Sequence, residues 1–146
     1  MKQFRIAIAL IATSMLLCAC PKDENGHQHI TFANKSDKII GYQFSFDKIS
    51  NISQDTTFHC NKTSEGFINN NSSFILACPA RVGGWESDLN DLYYIQFLVM
   101  DGNSFNHYYR EPCDTVRKYV PILHCFRLSL EDLQRMNWTV VFPPEE

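Results

Sequence analysis

Cysteine has the widest chemistry of any residue type in this chain, and it occurs six times: Cys18, Cys20, Cys60, Cys78, Cys113 and Cys125. A thiol can act as nucleophile, metal ligand or half of a disulfide, and spacing and compartment decide which. Two of the six follow a histidine, as His59-Cys60 and His124-Cys125, a composition that would suit a Cys2His2 zinc site. Structural zinc takes its ligands in close C-x2–4-C spacing, which is absent here, so no metal is assigned. His124 falls in phase with Val120, Ile122 and Phe126 and reads as a packed histidine, while His27 and His29 read as solvated. Glu86, Asp88 and Asp91 lack the regular alternation of a calcium loop and read as a solvated acidic stretch. There is no G-x-S-x-G elbow and no Gly-rich phosphate cradle. The sequence therefore points to no catalytic residue and no cofactor.

The first two cysteines stand in a different setting. Lys2 and Arg5 precede an apolar run from Ile6 to Leu17, interrupted only by Thr13 and Ser14, and the small Ala19 precedes Cys20. This is the three-part layout of an export signal. The run is shorter than the roughly 20 residues a spanning helix needs. It is apolar on every face and ends in Pro21-Lys22-Asp23-Glu24, which excludes a core helix. Leu17-Cys18-Ala19-Cys20 is similar to the lipobox of bacterial lipoprotein precursors, with Leu at −3 and a small residue at −1. Taking Cys18 as acceptor would place Leu17 at −1, so Cys20 is the expected lipidation site and residues 1–19 the expected signal peptide. An ordinary secretory leader is the alternative. Each buried methylene contributes about 0.8 kcal/mol, so two or three acyl chains give an effectively permanent membrane anchor. Residues 20–29 then form a lipidated tether. Lys22-Asp23-Glu24 is similar to a short export signal for surface-exposed lipoproteins, so the expected location is the bacterial outer membrane, with surface display.

Export decides the fate of the remaining thiols. An oxidising compartment and an even count predict two disulfides among Cys60, Cys78, Cys113 and Cys125. Three pairings are open; Cys60–Cys78 with Cys113–Cys125 is favoured because each pair brackets one local excursion. Two of the thirteen Lys and Arg, and none of the sixteen Asp and Glu, fall within residues 1–19. The remainder carries a formal charge of −5, eleven cations against sixteen anions. That excludes nucleic acid, which needs clustered cations to displace phosphate counterions, and supplies no basic patch for anionic lipid.

The elements that must position these residues read mainly as strands. Ile30 and Phe32 alternate with Thr31 before a turn at Asn34-Lys35-Ser36-Asp37. Ile40, Tyr42, Phe44 and Phe46 then share one side, with Gly41, Gln43, Ser45 and Asp47 on the other, which predicts a half-buried strand. Residues 48–73 read as loop-rich with a short strand near Thr57 to Cys60. Phe74 to Cys78 forms a compact strand, and Gly83-Gly84 breaks the chain before Trp85. Tyr93 to Met100 is apolar on both faces and predicts a covered central strand ending in a turn at Asp101-Gly102-Asn103. Tyr119 to Leu128 is a further strand. Ser129 to Met136 predicts a single short helix capped by Ser129, followed by a strand through Trp138, Val140 and Phe142. About seven short strands predict an all-β fold: a single β-sandwich domain over residues 30–146, immunoglobulin-like, with one short C-terminal helix. A small barrel is the alternative.

The segment Leu128-Ser129-Leu130-Glu131-Asp132-Leu133-Gln134-Arg135-Met136-Asn137-Trp138-Thr139-Val140-Val141-Phe142-Pro143, an LxLEDLxxxNWxVxFP pattern, resembles the end of small outer-membrane lipoproteins of gut-type anaerobes. Those proteins similarly carry an Asn-Lys-Ser turn and a Trp-Glu pair such as Trp85-Glu86. The resemblance implies an envelope lipoprotein and no particular activity. Asp55-Thr56-Thr57 and Asp114-Thr115-Val116 resemble bacterial O-glycosylation sites, which makes Thr56 and Thr115 candidate acceptors. Trp85, Tyr108 and Tyr109 lie in loop-like stretches, where aromatic rings can stack on sugars or anchor a protein, or else cap the core. These features lead to the expectation of a non-enzymatic surface module that binds a protein or glycan. A structural or accessory subunit of an outer-membrane complex is the alternative, with an enzyme third.

Overall fold

The alternating apolar residues become strands in two sheets. A computed structural model describes residues 26–48, 58–60, 64–78, 83–89 and 93–144. The expected signal peptide, Cys20, Thr56 and Asp91 lie outside these residues. The strands are β1 (His29–Asn34), β2 (Ile40–Lys48), β3 (Ser64–Ile68), β4 (Ser72–Ala77), β5 (Tyr93–Asp101), β6 (Ile122–Leu128) and β7 (Thr139–Phe142). One sheet has the order β4-β1-β7, with β1 antiparallel to β4 and parallel to β7. The other has the order β3-β2-β5-β6 and is antiparallel throughout.

The sheets face each other through the apolar side of each pleat. Phe32 of β1 stacks on Phe97 of β5 with ring centroids 3.7 Å apart, and Tyr42 of β2 stacks on Phe74 of β4 at 4.7 Å. Ile30, Ile40, Ile95, Val99, Leu128 and Val140 fill the space around these rings. β5 lies between β2 and β6 and is buried from Tyr94 to Met100, as its two-sided apolar composition requires. The turn after β1 is built by a buried polar side chain. The Asn34 amide donates to the carbonyls of Lys38, Ile68 and Asn69, and its carbonyl accepts from the N–H and hydroxyl of Ser36. A buried amide with every hydrogen-bonding group engaged fixes a loop without desolvation loss.

The expected single helix is one of four among the described residues: α1 (Gly84–Asp88), α2 (Gly102–Tyr108), α3 (Cys113–Tyr119) and α4 (Leu130–Arg135). α4 follows the sequence closely: Ser129 and Asp132 form a reciprocal capping box, and Leu133 is the buried residue. The expected turn at Asp101 is instead a helix cap, where the carboxylate accepts from the Ser104 N–H at 2.8 Å. Gly83 and Gly84 do not simply break the chain; they start α1 at positive φ, and a side chain on Gly84 would run into the backbone of Gly26 and His27. The strand expected from Tyr119 starts at Ile122, because Tyr119 closes α3. β3 forms where loop was expected, while Phe58 to Cys60 is not in a strand.

The second face of β2 departs from the half-buried expectation. Gly41 is buried and Gln43 is 1% exposed, because α2 and α3 cover this side of the four-stranded sheet. A side chain at position 41 would meet the Phe105 ring of α2 at 2.5 Å, so the close approach of that helix requires glycine.

Candidate functional site: a disulfide-held helical cap with an aromatic surface

The outer face of the four-stranded sheet is too apolar to meet water at Leu98 and Met100, and α2 and α3 cover it. Phe105 of α2, Val116 of α3 and Val120 pack with Met100 and Phe58 in a second, smaller core. Residues 58–60 join the cap through side chains. The Gln43 amide accepts from the His59 N–H at 2.7 Å and donates to the His59 carbonyl at 2.9 Å. The Arg117 guanidinium donates to the Phe58 carbonyl at 2.8 Å.

This docking brings Cys60 to the start of α3, where it forms a disulfide with Cys113, Cα atoms 5.5 Å apart. The expected pairs Cys60–Cys78 and Cys113–Cys125 are therefore corrected. Nearness in sequence is no guide here, since Gln43 and Arg117, both remote along the chain, place Cys60. Cys78 and Cys125 carry thiols. That of Cys78 donates to an Asp88 carboxylate oxygen at 3.4 Å, and that of Cys125 accepts from the Gln96 amide at 3.4 Å. Gln96 is 2% exposed and also lies 3.4 Å from the His59 ring, so Glu65, Gln43, His59, Gln96 and Cys125 form a continuous polar array beneath the cap.

The cap's solvent side is aromatic. Tyr109 follows α2 and is 37% exposed, Tyr119 ends α3 at 48%, and Phe67 of β3 is 40% exposed. Phe67 meets Tyr109 edge-on at 6.1 Å, and Tyr119 stacks on Tyr108 at 5.2 Å. The Arg110 guanidinium donates to the Tyr109 hydroxyl at 2.6 Å, and the Lys118 ammonium lies 5.0 Å from the Tyr119 ring centroid. Packing underneath thus fixes the rings of Phe67, Tyr109 and Tyr119 while each stays more than a third exposed. Beside Tyr109 a cleft of about 220 Å³ runs along the disulfide, with His59, Glu65 and Glu111 on its walls. Such a surface can stack flat apolar faces and accept hydrogen bonds through two carboxylates.

The expected aromatic residues are divided by the fold. Tyr108 and Tyr109 both belong to the cap. Trp85 does not: it is 2% exposed in the main core, and its indole N–H has no partner among the described residues. Phe67, Tyr119, Glu65 and Glu111 escape a reading of the sequence. Tyr119 sits in an apparent strand pattern, and Phe67 lies in a polar stretch where a single ring gives no periodic signal. Thr115 lies within α3, half-buried. His124 packs edge-on against Phe126 at 4.4 Å.

His27 is more engaged than a solvated tether residue. Its N–H donates to one Glu86 oxygen at 2.7 Å, its Nδ1 lies 2.6 Å from the other, and its ring stacks on Trp138 at 4.2 Å. Burial pushes the Glu86 carboxyl up, but the hydrogen bonds from His27 and from its own backbone outweigh burial and hold it below the usual carboxylate range. Among the described residues, no three His, Cys, Asp or Glu side chains gather into a group that could hold a metal ion.

No family model matches the chain, and no curated protein or solved structure matches it.

Proposed function

We propose that the chain is an envelope lipoprotein, acylated at Cys20 and displayed at the outer membrane, whose folded part is a non-enzymatic module that binds a protein or glycan through the helical cap. The observation that carries this reading is the set of exposed, packing-fixed rings of Phe67, Tyr109 and Tyr119 beside a polar cleft. Rigid aromatic anchors next to hydrogen-bonding groups are what binding surfaces use most. The Cys60–Cys113 disulfide supports export, because such bonds persist in oxidising compartments.

Strand order supports an immunoglobulin-like reading of the sandwich. With β1 to β6 as strands B, C, C′, E, F and G, the sheet β3-β2-β5-β6 has the order C′-C-F-G and the pair β4-β1 the order E-B. β7 departs from that pattern, since it runs parallel to β1 in the place beside strand B.

Binding of the full chain to an array of immobilised oligosaccharides and to an envelope extract tests the function. Tyr109→Ala and Tyr119→Ala are each expected to weaken capture about tenfold, which corresponds to about 1.4 kcal/mol. Turnover of a substrate that a single polar substitution abolishes would overturn the proposal. A structural or accessory role rests on a different feature, Ile75, which is 58% exposed on β4 at the edge of its sheet. Co-purification of a stable complex that Ile75→Lys disrupts, with the two tyrosine variants unaffected, would favour that role.

A further inference from the structure

The end of the sandwich from which the N-terminal segment leaves has its own surface. Gly26 to Gln28 are held there: the backbone N–H of Trp85 donates to the His27 carbonyl, that of Cys78 to the Gln28 carbonyl, and Glu86 and Trp138 engage His27 itself. β2 ends and β5 begins at this same end, with Lys48 opposite Tyr93. Phe46 is 43% exposed and stacks almost parallel on Tyr93, centroids 5.0 Å apart. Behind this pair lies an apolar cleft of about 210 Å³ walled by Phe44, Leu76, Trp85 and Ile95. The exposed Phe46 ring, stacked on a half-buried Tyr93 beside an apolar cleft, is a surface that an apolar occupant would cover.

We infer that the occupant is the bilayer: Phe46 and Tyr93 seat this end of the domain in the interfacial layer of the membrane that holds the anchor. The inference rests on acylation of Cys20, as proposed above. Gly26 is the sixth residue after Cys20, and an extended chain spans at most about 3.6 Å per residue, so Gly26 stays within about 22 Å of the lipid-bearing residue. β2 and β5 are nine residues each, about 30 Å long. The tether is shorter than the domain, and its exit is pinned by His27, so the Phe46 end is the end nearest the membrane. Aromatic rings favour the headgroup layer, where an apolar body and a polar tip are both satisfied. The net charge of −5 beyond residue 19 supplies no electrostatic attraction, so the contact works on zwitterionic lipid and survives salt.

Tryptophan reporters test the contact in the full, membrane-purified chain, with the mass at Cys20 measured first. Phe46→Trp and Tyr119→Trp each add one indole to the same two natural tryptophans, Trp85 and Trp138, and thermal midpoints equal to that of the unmodified chain verify the fold. Each variant is reconstituted into dioleoylphosphatidylcholine vesicles with and without phosphatidylcholine brominated near the headgroup. The expected result is a larger loss of emission for Phe46→Trp than for Tyr119→Trp, unchanged in high salt. Equal losses in an acylated chain would overturn the inference and leave the anchor standing. So would cross-linking of position 46 to a second copy. A Cys20 without acyl chains would overturn both.

Discussion

Glu86 shows how much a single carboxylate can organise in this chain. It accepts two hydrogen bonds from His27 and thereby joins the segment before β1 to α1. Its carboxyl is held below the usual range in the folded state, while the unfolded chain has a carboxylate of ordinary pKa, about 4.3. The stabilisation it brings is therefore complete above that value and is lost as pH falls through the folded-state value. Urea unfolding of Glu86→Gln and the unmodified chain is expected to show a stability gap at pH 7 that narrows on acidification. A gap independent of pH would count against the interaction. The sequence places Glu86 in an acidic stretch and His27 in a tether, but a contact between residues 59 positions apart has no local signature. Trp85 is the reverse case, a ring whose burial is one of two readings of its sequence context.

Elements with a strong periodic or capping signal are legible in the sequence, and short ones are not. β1, β2 and β7 follow from alternation, the period of a pleated strand, and β5 from an unbroken apolar run that must be covered on both faces. α4 follows from its cap, Ser129, which the structure completes as a box with Asp132. Loss of that box in Ser129→Ala is expected to lower stability by about 1 kcal/mol, measured by chemical denaturation. α2 spans Gly102-Asn103-Ser104-Phe105-Asn106-His107-Tyr108, a composition of poor helix formers held by the Asp101 cap and the Phe105 contact. Seven residues make under two turns, too few to display a helical period. Its fit against β2 is testable. Gly41→Ala would push Phe105 outward, and the expected outcome is a loss of about 1–3 kcal/mol with faster amide exchange in α2 than in β5.

At the scale of the molecule, two cores share one sheet. The inner face of β3-β2-β5-β6 packs on β4-β1-β7, and its outer face carries the cap with its aromatic surface. The two-layered β architecture is legible in the pattern of strands. The cap is not, because it depends on residues 58–60 reaching across to α3. Closing a loop of 53 residues is worth about 4 kcal/mol in the chain-entropy model. Cys60→Ser with Cys113→Ser is expected to lose up to that amount by urea denaturation, and to lose ligand capture while the strand signature in circular dichroism persists.

The bond between positions 60 and 113 also sets an order of events. While both sulfurs are reduced, the strands can pair and the rings of Phe32 and Phe97 can meet, but nothing covalent retains α3 against the Phe58 segment. On the proposed reading, capture through Tyr109 and Tyr119 therefore matures when an oxidant joins the two sulfurs, and a reduced chain is expected to pair its strands while holding the cap by the Arg117–Phe58 hydrogen bond and the packing of Phe58 with Val116.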